Sequence, residues 1–175
     1  MTKIEQMALA NDLKKLVKHF NPQYVSIFKL PTRTGYIYSL KITMNVPTYV
    51  LSKYSSTPRF VKSISFYMDI LPGYPATKPV VYYGNEQWLY HVNVFASEGH
   101  KQCTDVYDPE NSSLVELAEK TARAIVFDPA VTRFNSKASS LPEEWQKQKL
   151  SKRELPTMNP ALLFARNMKR IPGRV

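Results

Sequence analysis

Cysteine is nearly absent: Cys103 is the one thiol in 175 residues. A single cysteine excludes an internal disulfide framework and any zinc site built from several thiolates. Glycine is scarce and scattered, five in all, so there is no glycine-rich phosphate loop. Acid is the minority charge, with 14 Asp and Glu against 24 Lys and Arg, a formal net charge of +10. That excess favours acidic partners of some kind, whether protein, nucleic acid or membrane surface. No apolar run approaches the roughly 18 residues of a membrane span, and no signal-peptide core follows Met1. A membrane partner is therefore not expected, and the expected compartment is a reducing cytoplasm. His19, His91 and His100 lack metal-ligand spacing, and no carboxylates are paired for glycoside chemistry. No metal or other cofactor is expected.

What is present is ordinary for a globular chain: 43% hydrophobic and 22% charged residues, enough to bury a core without staples. Leu13, Leu16, Val17 and Phe20 fall on one helical face, which predicts an amphipathic helix over residues 3–20. Lys14, Lys15 and Lys18 lie mostly off that face, and Asn21-Pro22 stops the helix. Strands follow. Residues 24–30 are β-branched and aromatic. From Tyr36 to Val46 the pattern alternates, with Tyr36, Tyr38, Leu40, Ile42, Met44 and Val46 on one face. Ile64, Phe66, Met68 and Ile70 repeat it, and residues 80–83 suit one more short strand. Short, turn-rich links favour an antiparallel meander.

Prolines at 72, 75 and 79 bar helix or central strand from residues 71–79, and the tyrosines and prolines of residues 71–83 are expected to pack under the sheet. Residues 84–108 show no sustained period, and a long ordered loop of that kind is usually functional. Helices then return. Ser113 and Glu116 have capping-box spacing before a stripe of Leu114, Leu117, Ala118, Thr121 and Ile125, ended by Asp128-Pro129. Ser140 with Glu143 starts a helix carrying Trp145, and Asn159-Pro160 a last one through Asn167. The layout is α+β, with helices segregated from one sheet. Residues 1–150 form the expected domain, and 151–175 a basic C-terminal extension.

The chemistry-bearing side chains cluster in the irregular stretch. Cys103 is either a nucleophile or a small buried hydrophobe. His100 and Lys101 are close enough in sequence to supply the positive charge that a reactive thiolate needs. Asn93 is an oxyanion donor or a turn former. His91 is a base or a packed, hydrogen-bonded histidine, and Asp105 orients an amine or pairs with a lysine. Basic residues are spread over the first helix and the tail rather than interleaved with aromatics, so a nucleic-acid partner is not expected from the sequence.

Four segments resemble one family. Pro72-Gly73-Tyr74-Pro75-Ala76-Thr77-Lys78-Pro79 is similar to the Tyr-Pro-x-x-x-Pro signature of ubiquitin-conjugating enzymes. Tyr90-His91-Val92-Asn93-Val94 resembles the family's Tyr-His-Pro-Asn-Ile/Val, and Cys103-Thr104-Asp105-Val106 its Cys-Leu-Asp-Ile. A helix ending in Asp128-Pro129 resembles its crossover helix. The resemblance spans roughly residues 3–150. It implies a first helix, a four-stranded antiparallel meander, an active-site segment and C-terminal helices.

It also implies a chemistry. Cys103 would take the C-terminus of a ubiquitin-like modifier as a thioester from an activating enzyme and pass it to an amine of a target protein. Asn93 would stabilise the oxyanion, His91 brace the loop, and Asp105 orient the amine. Lys14, Lys15 and Lys18 would dock the activating enzyme. The pattern departs from the family in four places. Val92 replaces a proline, Cys103 lies ten positions after Asn93, about two more than is common, no Trp follows the cysteine closely, and Arg133 stands near the place of an acidic residue. These departures suit a divergent, bacterial member, of a kind that can serve in antiphage defence. Competing expectations are an inactive adaptor of the same fold that binds a modifier, and a basic nucleic-acid-binding module.

Overall fold

The computed structural model describes residues 2–104, 107–132, 134, 137–156 and 158–165. The chain starts with helix α1 (Lys3–His19). Thr2 caps it: its hydroxyl accepts from the Glu5 amide while the Glu5 carboxylate accepts from the Thr2 amide. Strands β1 (Val25–Leu30), β2 (Tyr38–Met44), β3 (Thr48–Ser52), β4 (Ser55–Val61), β5 (Ile64–Ile70) and β6 (Val80–Tyr83) follow. Then come short strands β7 (Gln87–Leu89), β8 (Val94–Phe95) and β9 (Lys101–Gln102), with a 3-10 turn at Ala96–Glu98. Helices α2 (Leu114–Ile125) and α3 (Glu143–Ser151) and a 3-10 turn at Pro160–Leu163 complete the described chain.

The architecture is mixed α and β with antiparallel sheets. The main sheet runs β1-β2-β5-β6-β9-β8, and a second sheet runs β4-β3-β7. The four strands expected from the sequence are therefore neighbours in the main sheet, in chain order. Two features depart from the expected four-stranded meander. A hairpin, β3–β4, is inserted between β2 and β5. It turns on Lys53-Tyr54, without the Asn-Gly or Asp-Gly pair that announces a hairpin. The stretch 84–108 is also not wholly irregular, since β7, β8 and β9 lie within it. Strands of two or three residues are too short to display a period.

The inward rows of the main sheet hold Leu40, Ile42, Met44, Ile64, Phe66 and Met68, all buried. Helix α2 lays its whole expected stripe, Leu114, Leu117, Ala118, Thr121 and Ile125, into the same core, with the Ser113 hydroxyl capping the Glu116 amide. Of the tyrosines in residues 71–83, Tyr74 and Tyr83 pack fully buried as expected, with the Tyr74 hydroxyl donating to Asp12 on α1, whereas Tyr82 is only half-buried because its place in β6 turns it to the opposite face from Tyr83.

Three local expectations are corrected. Val17 is 63% exposed, and the buried face of α1 runs through Leu9, Leu16 and Phe20, with Leu13 packed beside it. Ser140 does not cap α3; Pro142 occupies that position, with no side-chain cap. The last expected helix is a single 3-10 turn, with the Asn159 side chain accepting from the Ala161 amide. Asn167, the expected end of that helix, lies outside the described residues, as do Arg166, Lys169, Arg170 and Arg174 of the basic extension.

The part of the extension that is described folds back on the domain. Leu155, Leu163 and Phe164 are buried, the Asn21 amide donates to the Leu163 carbonyl at 2.8 Å, and Phe164 bridges Phe20. Among the described residues, no helix is long and apolar enough to cross a membrane.

Candidate active site

Residues 87–103 are strung between the two sheets. At one end β7 pairs with β3, matching Val50 to Leu89, and the Tyr90 amide donates to the Tyr49 carbonyl. At the other end β9 pairs with both β6 and β8. The chain between them carries His91 and Asn93, Cys103 follows directly after β9, and this anchoring brings the three together. The Cys103 amide donates to the Asn93 carbonyl at 2.7 Å. Cys103 is a free, partly exposed thiol.

His91 is 1% exposed, and its two ring nitrogens are both engaged. Nδ1 accepts from the Asn93 amide at 3.1 Å. That assigns the proton to Nε2, which donates to Thr132 Oγ1 at 3.2 Å, and the Thr132 hydroxyl in turn donates to the Asp128 carbonyl. Burial lowers the His91 pKa to about 3, so the ring is neutral at physiological pH. With its lone pair committed, His91 is not available as a base. It is a positioning residue, the packed alternative of the two open from the sequence.

Asn93 reaches the same loop. Its Nδ2 donates to the Val131 carbonyl at 2.7 Å, leaving a second hydrogen for another acceptor. Asp128 shapes that loop by accepting from the Ala130 amide and pairing with Arg123 at 2.7 Å. The Asp128-Pro129 helix stop thus delivers Val131 and Thr132 to Asn93 and His91.

Several residues that sequence reasoning missed hold this frame. The side chain of buried Gln102 joins the two segments, its Nε2 donating to the carbonyls of both Asn93 and Cys103, each at 3.2 Å. Its Oε1 accepts from the hydroxyl of Tyr83, which full burial keeps protonated. From α3, the buried Gln146 accepts from the Val92 amide at 3.3 Å. A proline at position 92 would have no such hydrogen to give, so the valine there leaves the chain free to be tethered to α3. The Val92 carbonyl accepts from the amides of Ala138 and Ser139. No sequence signal announces a glutamine as a clamp, because its partners are main-chain atoms set by the fold.

The cationic neighbours expected for Cys103 are engaged elsewhere. His100 stacks on Trp88, with ring centroids 3.7 Å apart, and burial lowers its pKa. Lys101 lies 3.7 Å from Glu98. Asp105 and Arg133 lie outside the described residues. Lys14 and Lys18 are exposed on α1, and Lys15 lies 3.7 Å from Asp12 there, so these three sit on a separate element from the thiol. A cleft of about 500 Å³ runs along α2, lined by residues that include His19, Glu116, Glu119, Arg123, Ala130 and Val131, and none of Cys103, Asn93 and His91 lines it. Among the described residues no group of three or more His, Cys, Asp or Glu side chains is placed to hold a metal ion.

Comparison with models of known protein families gives no match, and no curated protein sequence matches the chain.

Proposed function

We propose that this protein is a conjugating enzyme of the ubiquitin-conjugating type, carrying the C-terminus of a ubiquitin-like modifier as a thioester on Cys103. The observation that carries the reading is the junction of Cys103, Asn93 and His91. The backbone amide of partly exposed Cys103 donates to the carbonyl of Asn93, whose side-chain amide is braced against the loop after α2.

Loading exchanges one thioester for another. The Cys103 thiolate attacks the acyl carbon, and the activating enzyme's thiolate leaves. In discharge a target amine attacks, the oxyanion forms, and Cys103 leaves as a thiolate while the amine loses a proton. A thiolate leaves well enough that no triad is needed. The second hydrogen of Asn93 Nδ2 is the donor for that oxyanion, a role typically worth ~10²–10³ in rate. Exposed Lys14 and Lys18, with Lys15, form a basic patch for an acidic docking domain of the activating enzyme. A divergent bacterial enzyme of antiphage defence, working in the cytoplasm, fits the departures in sequence.

Single-turnover kinetics test this reading. Asn93→Ala should slow discharge to free lysine far more than loading by an activating enzyme. Equal rates in wild type and variant for both steps would remove the oxyanion role.

A further inference from the structure

The outer face of the main sheet carries a row that no stretch of sequence displays. The strand registers pair Phe28 with Lys41, Lys41 with Tyr67, Tyr67 with Tyr82, Tyr82 with Lys101, and Lys101 with Phe95. Their chain neighbours Ile42, Phe66, Val81 and Val94 point into the core, so the row faces away from it. Across six strands it reads aromatic, basic, aromatic, aromatic, basic, aromatic. Five strand spacings of about 4.8 Å make it about 24 Å long. Phe28 is 54% exposed, and the Tyr67 and Tyr82 rings lie near-parallel with centroids 5.4 Å apart.

Beside the two tyrosines lies a pocket of about 330 Å³. Arg33 reaches across it, over the Tyr82 ring and onto the buried carboxylate of Asp69. Ser39 lines the pocket, is 1% exposed, and its Oγ has no hydrogen-bond partner. On the neighbouring strand Asp69, the register partner of Ser39, likewise has a buried Oδ1 without a partner among the described residues, so an unpaired hydroxyl and an unpaired carboxylate oxygen adjoin this pocket.

We propose that this face binds single-stranded nucleic acid. Exposed Phe28 and half-buried Tyr67, Tyr82 and Phe95 offer stacking surfaces to unpaired bases, and Lys41 and Lys101 between them meet the phosphates, Lys101 exchanging its exposed partner Glu98 for one. Ser39 takes a polar edge of one base. An acidic peptide would use the cations and leave the rings idle. A duplex would present its phosphates but keep its bases stacked on one another. The row ends near Lys101, two residues before Cys103, but includes neither Cys103 nor Asn93, so the proposal does not depend on the thioester reading.

The test is fluorescence anisotropy with a labelled mixed-sequence 12-nucleotide single strand, its duplex and polyglutamate, over a range of salt. The single strand should bind more tightly than either control. Tyr67→Ala together with Tyr82→Ala should weaken it at least roughly tenfold, consistent with the loss of base stacking. Tyr67→Phe should bind as wild type does. Lys41→Gln with Lys101→Gln should reduce the slope of log affinity against log salt by about 1.4, two phosphate contacts on a single strand. Thermal melting checks folding, and if the alanine pair lowers the midpoint, the lysine pair carries the test. Cys103→Ser should bind as wild type. Absence of binding, equal binding of the duplex, or unchanged affinity and salt slope in these variants would each overturn the proposal.

Discussion

The main sheet and the segment that crosses from one sheet to the other are built by different physics. In β2 and β5 each residue's place follows from its neighbours two positions away, since Leu40, Ile42 and Met44 face Met68, Phe66 and Ile64. Burial of apolar surface fixes their register, because a slip of one residue would turn the core outward. Between β7 and β9 the placement is instead made by polar contacts distant in sequence: His91 with Thr132, Asn93 with Val131, Val92 with Gln146. The first region is specified by area and period, the second by individual hydrogen bonds. Substitutions should therefore cost differently in the two regions.

The largest effect belongs to the sheet. Phe66→Ala removes a fully buried ring and should lower stability by about 3–5 kcal/mol, read as a shift of the urea midpoint. A loss below about 1 kcal/mol would mean that the two regions do not differ as described.

The crossing segment should respond to acid. Its buried histidine has a folded pKa of about 3, below the ordinary value of 6.5 that it regains on unfolding. The neutral form therefore supports the fold fully above pH 6.5, and that support is lost as pH falls toward 3. At pH 5 the loss is about 2 kcal/mol relative to pH 8. Urea midpoints at the two pH values should separate more in the wild type than in His91→Asn. Equal separation would show that His91 does not titrate as a buried group.

A smaller effect is expected at the tether from α3. Gln146→Leu leaves the Val92 amide without its acceptor and should cost about 1 kcal/mol, with faster hydrogen exchange at that amide. Unchanged exchange at Val92 would count against the tether. Smallest of all, Val17→Ser should change stability by less than about 0.5 kcal/mol, because that side chain is already in water. A loss above 1 kcal/mol would restore Val17 to the core.

The same division decides what could be read from sequence. The period of two placed β1, β2, β5 and β6, and the stripe from Leu114 to Ile125 placed α2. The β3–β4 hairpin escaped because Lys53-Tyr54 carries no turn signal and Val50-Leu51 is buried on both sides of the strand. Residue types and their order singled out Cys103, Asn93 and His91, and the fold does bring them together. Gln102, Tyr83, Thr132 and Gln146 were invisible, since each acts through an atom that only the folded chain places nearby. The outer row of the sheet was hidden for a related reason: its members lie on six strands, and only the register lines them up.

The most direct measurement is the intact mass of the protein after incubation with an activating enzyme, ATP and candidate ubiquitin-like modifiers, before and after reductant. The expected result is an adduct of one modifier that reductant removes from the wild type, persists as an oxyester in Cys103→Ser, and is absent in Cys103→Ala. A reductant-sensitive adduct of the same mass on Cys103→Ala, or no adduct on the wild type with any modifier that the activating enzyme itself accepts, would contradict the assignment of Cys103 as the acyl carrier.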